Sequence, residues 1–170
     1  MTNLVWLVPL FPLIGFLITG LGRNMLGKSA GWIASLAILA SFVVSLLVFF
    51  EVKSSVVAGP VLVHLFDFIH IGSMQIPFAF QVDALSSIFL LIITGIGFLI
   101  HLYSISYMSH DDGFAKFFSY LNLFVFSMLL LVLGANYLIM FIGWEGVGLC
   151  SYLLIGFWYK NIDYTKAAQK

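Results

Sequence analysis

One carboxylate, Glu145, stands inside the apolar run Gly143–Trp158, GWEGVGLCSYLLIGFW, with no other charged residue close to it. A helix drawn over 137–159 rises by about 1.5 Å per residue, enough to cross a hydrocarbon core of about 30 Å, and puts Glu145 within about 5 Å of its middle. An acidic side chain at that depth costs about 3 kcal/mol even on the lenient insertion scale, so its presence asks for a use. Gly148, Tyr152 and Gly156 follow on the same helical side, and the two glycines have no side chain to hold a neighbouring helix away. This pattern predicts that Glu145 faces packed protein or confined water. In such a place dry surroundings favour the neutral carboxyl and a nearby ammonium favours the anion, which is what a proton relay needs. The alternative is a carboxyl that stays protonated and only ties two helices together.

A second ionisable group lies in the run after Asp83. On a helix that includes Asp83, the residues Ser87, Thr94, Gly97, His101 and Ser104 fall within about 60° of it at 100° per residue. The rest of that run is Leu, Ile and Phe. A polar stripe on an apolar helix faces protein or water, so His101 is either a relay near the helix end or a histidine hydrogen-bonded in a helix interface. Asp83, at the start, fits an N-cap. His64 and His70 share a strand parity without a carboxylate or cysteine companion on that face, and are read as surface histidines and not as metal ligands. Cys150 is the one cysteine of the chain; it forms no intrachain disulfide or cluster site and is read as an inert buried thiol.

The elements that must hold these groups belong to a membrane. The chain is 62% hydrophobic and 8% charged, against about 25% charged for a soluble domain. Its seven basic and seven acidic residues balance, so no field favours nucleic acid or an anionic substrate. The expected fold is all-α and integral to the membrane, with about five transmembrane helices and one extracytoplasmic β-hairpin. Residues 1–50 form a helical hairpin, its first span about Leu4 to Leu21 and its second about Gly31 to Phe50. Met1 to Val5 hold no Lys or Arg, against a cleaved signal peptide. Residues 51–83 alternate in short apolar runs around Gly72-Ser73, which predicts a β-hairpin, with Pro77 at an unpaired edge position. Residues 84–116 give the third span and a polar loop, Ser109 to Lys116, to which no chemistry is assigned. Residues 117–170 give the fourth span, Phe117 to Leu133, short for a crossing, then the fifth and the start of another segment. YTKAAQK stops without a cap or breaker, which suggests truncation more than completion. Arg23, Lys28, Lys116, Lys160, Lys166 and Lys170 fall on one side of this arrangement and Lys53 on the other, which sets the N-terminus outside and the C-terminus inside.

The segments FQVDALSSIFLLIITGIGFLIHLYSISYM, FFSYLNLFVFSMLLLVLGANYLIMFIGWEGVGLCSYLLIGFWY and KAAQK closely resemble the N-terminal third of the large antiporter-like subunit of respiratory complex I, subunit L or chain 5. The likeness is most specific in GWEGVGLCSYLLIGFW; before Gln81 it rests on the order of spans and the hairpin. It implies an antiporter-like bundle in the bacterial inner membrane and a proton-translocating subunit of NADH:quinone oxidoreductase. Glu145 matches the family glutamate, which pairs with lysines on later helices; His101 and Asp83 match family positions too. The chain itself would carry no cofactor. NADH, FMN, iron–sulfur clusters and quinone would belong to partner subunits, and the hairpin would contact neighbouring antiporter-like subunits. The chain departs at Ala135, where family members often have an acid, and it lacks the lysine-bearing helices. The large subunit of a multisubunit sodium/proton antiporter shares the glutamate and the fold, although Cys150-Ser151-Tyr152 and the nearby Gly-Val-Gly favour the complex I version. A non-conducting membrane scaffold is the third reading.

Overall fold

The computed structural model describes residues 4–54, 59–72 and 74–170. Its elements are α1 (Leu7–Leu21), α2 (Arg23–Leu26), α3 (Ser29–Ser54), β1 (Val61–Ile71), β2 (Met74–Val82), α4 (Ala84–Tyr107), α5 (Phe114–Leu133), α6 (Tyr137–Ile155) and α7 (Ile162–Ala168). Among the described residues, α3, α4, α5 and α6 are long and apolar enough to cross a membrane, and α1 is an apolar helix of 15 residues. The expected five spans therefore resolve into four full-length candidates and one shorter helix. Pro9 and Pro12 both lie buried in α1.

The helices are arranged around α5. It packs against α1, α3, α4 and α6, while α3 fills the place between α1 and α4. Val8, Ile38, Leu90, Leu129 and Leu133 are buried together in the principal core. The Ser41 hydroxyl donates to the Val8 carbonyl at 2.6 Å and joins α3 to α1. In the membrane such bonds and close contacts, not the hydrophobic effect, hold helices to one another.

Two boundaries differ from the sequence reading. α5 begins at Phe114, not Phe117, and its 20 residues suffice for a span. Phe114 and Ala115 are buried, and Lys116 is accommodated in the first turn because its ammonium lies over the rings of Tyr120, Phe157 and Tyr159 at 5.5, 5.8 and 5.7 Å. α6 ends at Ile155 with Gly156 as its C-cap. The apolar sequence runs on through Phe157, Trp158 and Tyr159, so hydrophobicity alone does not show the break.

β1 and β2 pair antiparallel, from Val61 opposite Val82 to Ile71 opposite Met74. Gly72 takes φ 59°, the left-handed conformation that a Gly-first turn needs; Ser73, the other expected turn residue, lies outside the described residues. Two register shifts, between His64 and Phe66 and between Asp67 and Ile69, each insert an extra residue and turn the strand over. The Pro77 carbonyl accepts from the Asn136 side-chain amide at 2.8 Å, and the Ala79 carbonyl from the Ala135 N–H at 3.1 Å. Asn136 also caps α6, its Oδ1 accepting from the Ile139 N–H at 3.0 Å. One side chain thus joins the hairpin to the start of the Glu145 helix.

Candidate functional site

α6 is held to α5 through its small residues. A Cβ at Gly143 would collide with the Leu131 backbone N, would stand 2.7 Å from the Leu131 Cα and 2.9 Å from the Ser127 carbonyl oxygen, so only glycine lets the two backbones approach this closely. Gly146 faces the Ser127 side chain in the same way, and Cys150, one turn on, is fully buried. This face includes Ile139.

Glu145 lies on the opposite side. It is exposed, and among the described residues it makes no ion pair or hydrogen bond. Around it stand Phe141, Trp144, Leu149 and Tyr152, all exposed, and Gly148 has open space where a side chain would be. The expectation that the Gly148 side packs on protein is corrected within this chain: the glycines packed on α5 are Gly143, against its backbone, and Gly146, against the Ser127 side chain. Glu145 sits near the centre of the 19-residue helix, and a carboxyl there on a face left to lipid would cost about 3 kcal/mol.

The polar stripe of α4 is, by contrast, closed. Ser87, Thr94, His101 and Ser104 are 1, 0, 1 and 4% exposed. Ser87 donates to the Ala84 carbonyl at 2.9 Å and Thr94 to the Leu90 carbonyl at 2.6 Å. His101 donates from Nδ1 to the Gly97 carbonyl at 2.7 Å, and its Nε2 lies 3.3 Å from Asn122 Nδ2 of α5. His101 and Glu145 are not brought together: α4 and α6 both pack on α5, with Glu145 turned away from it.

Asp83 is the N-cap of α4. Its carboxylate accepts from the Ser86 N–H at 2.7 Å and the Ser86 hydroxyl accepts from the Asp83 N–H at 2.8 Å, a reciprocal box that satisfies two helix-end donors. The Ser86 backbone bond, ahead of its other contacts, holds the Asp83 carboxyl below its ordinary 3.8. In the hairpin, the first register shift brings Asp67 to the side of His64, with His64 Nε2 and Asp67 Oδ1 3.0 Å apart; strict alternation had left His64 without a carboxylate neighbour. His70 Nε2 lies 3.0 Å from the Gln75 side-chain nitrogen. No group of three or more metal-ligating side chains occurs among the described residues.

The polar loop before α5 has a structural part that its sequence did not indicate. The Trp158 indole N–H donates to Asp111 Oδ2 at 2.8 Å, Asp111 Oδ1 accepts from the Gly113 N–H at 2.7 Å, and Phe157 packs edge-on to Phe117. The loop clasps the turn that follows α6. Only the excess of aromatic residues after Gly156 hinted at it.

The fold and this site can be set beside known proteins. A family model described as NADH-ubiquinone oxidoreductase (complex I), chain 5 N-terminus matches residues 68–118, and one described as NADH:quinone oxidoreductase/Mrp antiporter, TM matches residues 134–170. The chain is 42% identical over 160 residues to NADH-ubiquinone oxidoreductase chain 5 of Allomyces macrogynus, covering 94% of this chain and 25% of that protein. It is 41% identical over 170 residues to NADH-quinone oxidoreductase subunit L of Mycobacterium tuberculosis, covering 99% and 27%. A chain of the Mrp complex from Dietzia sp. DQ12-45-1b superposes with a TM-score of 0.71 at 25% identity, over 95% of this chain and 17% of that one. The class these define is the antiporter-like membrane bundle. Within it, the chain belongs to the complex I chain 5 and subunit L family. It spans about a quarter of the length of the curated relatives it matches.

Proposed function

We propose that this chain is part of a proton-translocating membrane subunit of an NADH:quinone oxidoreductase, and that Glu145 is the group whose protonation changes. The observation that carries this reading is a carboxyl at the middle of a spanning helix, on the face that the chain itself leaves open. A neighbouring segment with a cation opposite Glu145 would complete the site: paired, it holds the carboxylate charged, and withdrawn, it lets the carboxyl take a proton. His101 is a second proton position in this reading. Redox chemistry with NADH, FMN, iron–sulfur clusters and quinone belongs to partner subunits. For neighbouring antiporter-like subunits the hairpin offers a surface of its own: Phe66 and Phe78 stack at 5.0 Å, and Phe66 and Phe68 are about half exposed. In this reading the membrane is a bacterial inner membrane, and the excess of Lys and Arg on one side supports an N-terminus outside and a C-terminus inside. The division into residues 1–50, 51–83, 84–116 and 117–170 then separates the hairpin of helices, the partner surface, the closed α4 face and the Glu145 helix.

The likeness to a chain of the Mrp complex favours a second reading, the large subunit of a multisubunit sodium/proton antiporter. Purification of the chain from its native membrane separates the two. Co-migration with NADH-oxidising activity supports the first, and co-migration with sodium-dependent proton exchange and no redox activity replaces it with the second. A chain that purifies with either assembly but tolerates Glu145→Gln without loss of proton movement is a scaffold.

A further inference from the structure

Where α4 meets α5, two fully buried polar side chains answer each other: His101, 1% exposed, and Asn122, 0% exposed. His101 uses Nδ1–H on the Gly97 carbonyl, so its Nε2 carries the lone pair and accepts from Asn122 Nδ2 at 3.3 Å. The same amide nitrogen donates to the Phe118 carbonyl at 3.1 Å. That bond sets which end of the carboxamide is nitrogen, because the reverse placement would press Oδ1 against a carbonyl oxygen. Asn122 Oδ1 is left over. It is buried without a hydrogen-bond partner among the described residues, against Gly15 of α1 at the place a Cβ would fill.

We propose that Asn122 decides whether His101 carries a proton, holding it neutral in the present orientation and admitting a proton only when its carboxamide turns over. An imidazolium has two N–H groups. With Nδ1–H kept on Gly97, the new Nε2–H would meet the N–H of Asn122, donor against donor, in a buried place where an unpaired donor is costly. Turning the carboxamide over replaces that clash with Oδ1, the one acceptor in the contact that has no other partner, at the cost of exchanging the Phe118 bond for oxygen against oxygen, so this setting is reached only when the ring carries its second proton. The charge of the ring and the orientation of the amide are therefore one variable with two settings.

Among the described residues, the hydrogen-bond partners of the ring are Gly97 and Asn122. α1 contains no titratable side chain, and those of α3, Glu51 and Lys53, lie at the end away from His101. On α5, Lys116 lies over the rings of Tyr120, Phe157 and Tyr159, and the nearest ring to His101 is Phe118 at 6.0 Å between centroids. On α6, Glu145 faces the open side. On α4 itself, Tyr103 is exposed.

The test replaces the turning amide with a carboxylate, which as the anion only accepts. In Asn122→Asp, within the native membrane assembly, deuterium exchange at the histidine C2 position is followed against pH by mass spectrometry, with the exposed His64 and His70 of the same chain as references. The His101 midpoint should rise by about one pH unit or more relative to wild type, tenfold in the protonation equilibrium, with His64 and His70 unmoved. Asn122→Ser, smaller and able to accept or donate, is read in the same way, with a smaller rise, and serves if the aspartate variant does not assemble. An unmoved His101 midpoint in an assembled variant overturns the inference. The measurement reads the ring and not proton transport, so its failure is separate from failure of the proposed function.

Discussion

Two helices of this chain carry an ionisable group at membrane depth, and they treat it in opposite ways. α4 turns His101 inward, with Ser87, Thr94 and Ser104, and supplies partners for it from its own backbone and from Asn122. α6 turns small residues inward, Gly143 and Gly146, and leaves Glu145 on the open side. A buried polar group that is satisfied within the chain reports on packing first. One that is presented without a partner, where exposure to lipid is costly, reports on what the chain must meet.

The comparison can be broken from either side. The largest effect is expected at Glu145: in the assembled membrane complex, Glu145→Ala loses most proton movement, at least about tenfold, while Glu145→Asp, which keeps the charge but withdraws it by about one methylene, keeps part of it. Proton uptake measured in vesicles checks this, and equal loss in both variants would point to a role in assembly. Next come the two sets of α6 glycines. Gly143→Leu would drive a side chain into the α5 backbone, an overpacking of about 3 kcal/mol or more, and the level of assembled subunit should fall. Gly148→Leu meets nothing in this chain; a comparable fall there would show that the Glu145 face is covered closely by another segment, and no fall would mean that this face stands free.

Smaller effects lie at the helix starts. Asn136→Ala removes the α6 cap at a cost of about 1 kcal/mol and also frees the Pro77 carbonyl, lowering the melting temperature of the purified assembly. At Asp83 the sign follows from its depressed carboxyl. The cap contribution is fully present above the ordinary value of 3.8 and is lost as pH falls through the lower folded value. Asp83→Asn, which caps without titrating, should remove that acid dependence, an effect of about 1 kcal/mol at most.

Much of this was legible in the residues. The α4 stripe could be read because its polar positions keep the helical period and are buried by the chain's own helices. Asp83 could be read because an N-cap is a local device. The Glu145 face could not, since periodicity gives the side on which Gly148 and Tyr152 fall but not which side a neighbour occupies. The end of α6 was hidden by the apolar residues that follow Gly156. The hairpin faces were hidden by two register shifts, the first of which carried Asp67 round to His64. Lys116 and Asp111 looked like loop charges because, Tyr120 apart, the aromatic residues they meet, from Phe157 to Tyr159, are more than 40 positions away and only the fold brings them near.

Proton movement is assigned here to the charge of one side chain, and Glu145→Gln removes that charge while keeping nearly the same shape. The measurement is proton movement per electron pair in membrane vesicles, with the amount of assembled complex determined in the same preparation. Normal assembly is expected, with proton movement reduced at least about tenfold. Wild-type proton movement at equal assembly would contradict it.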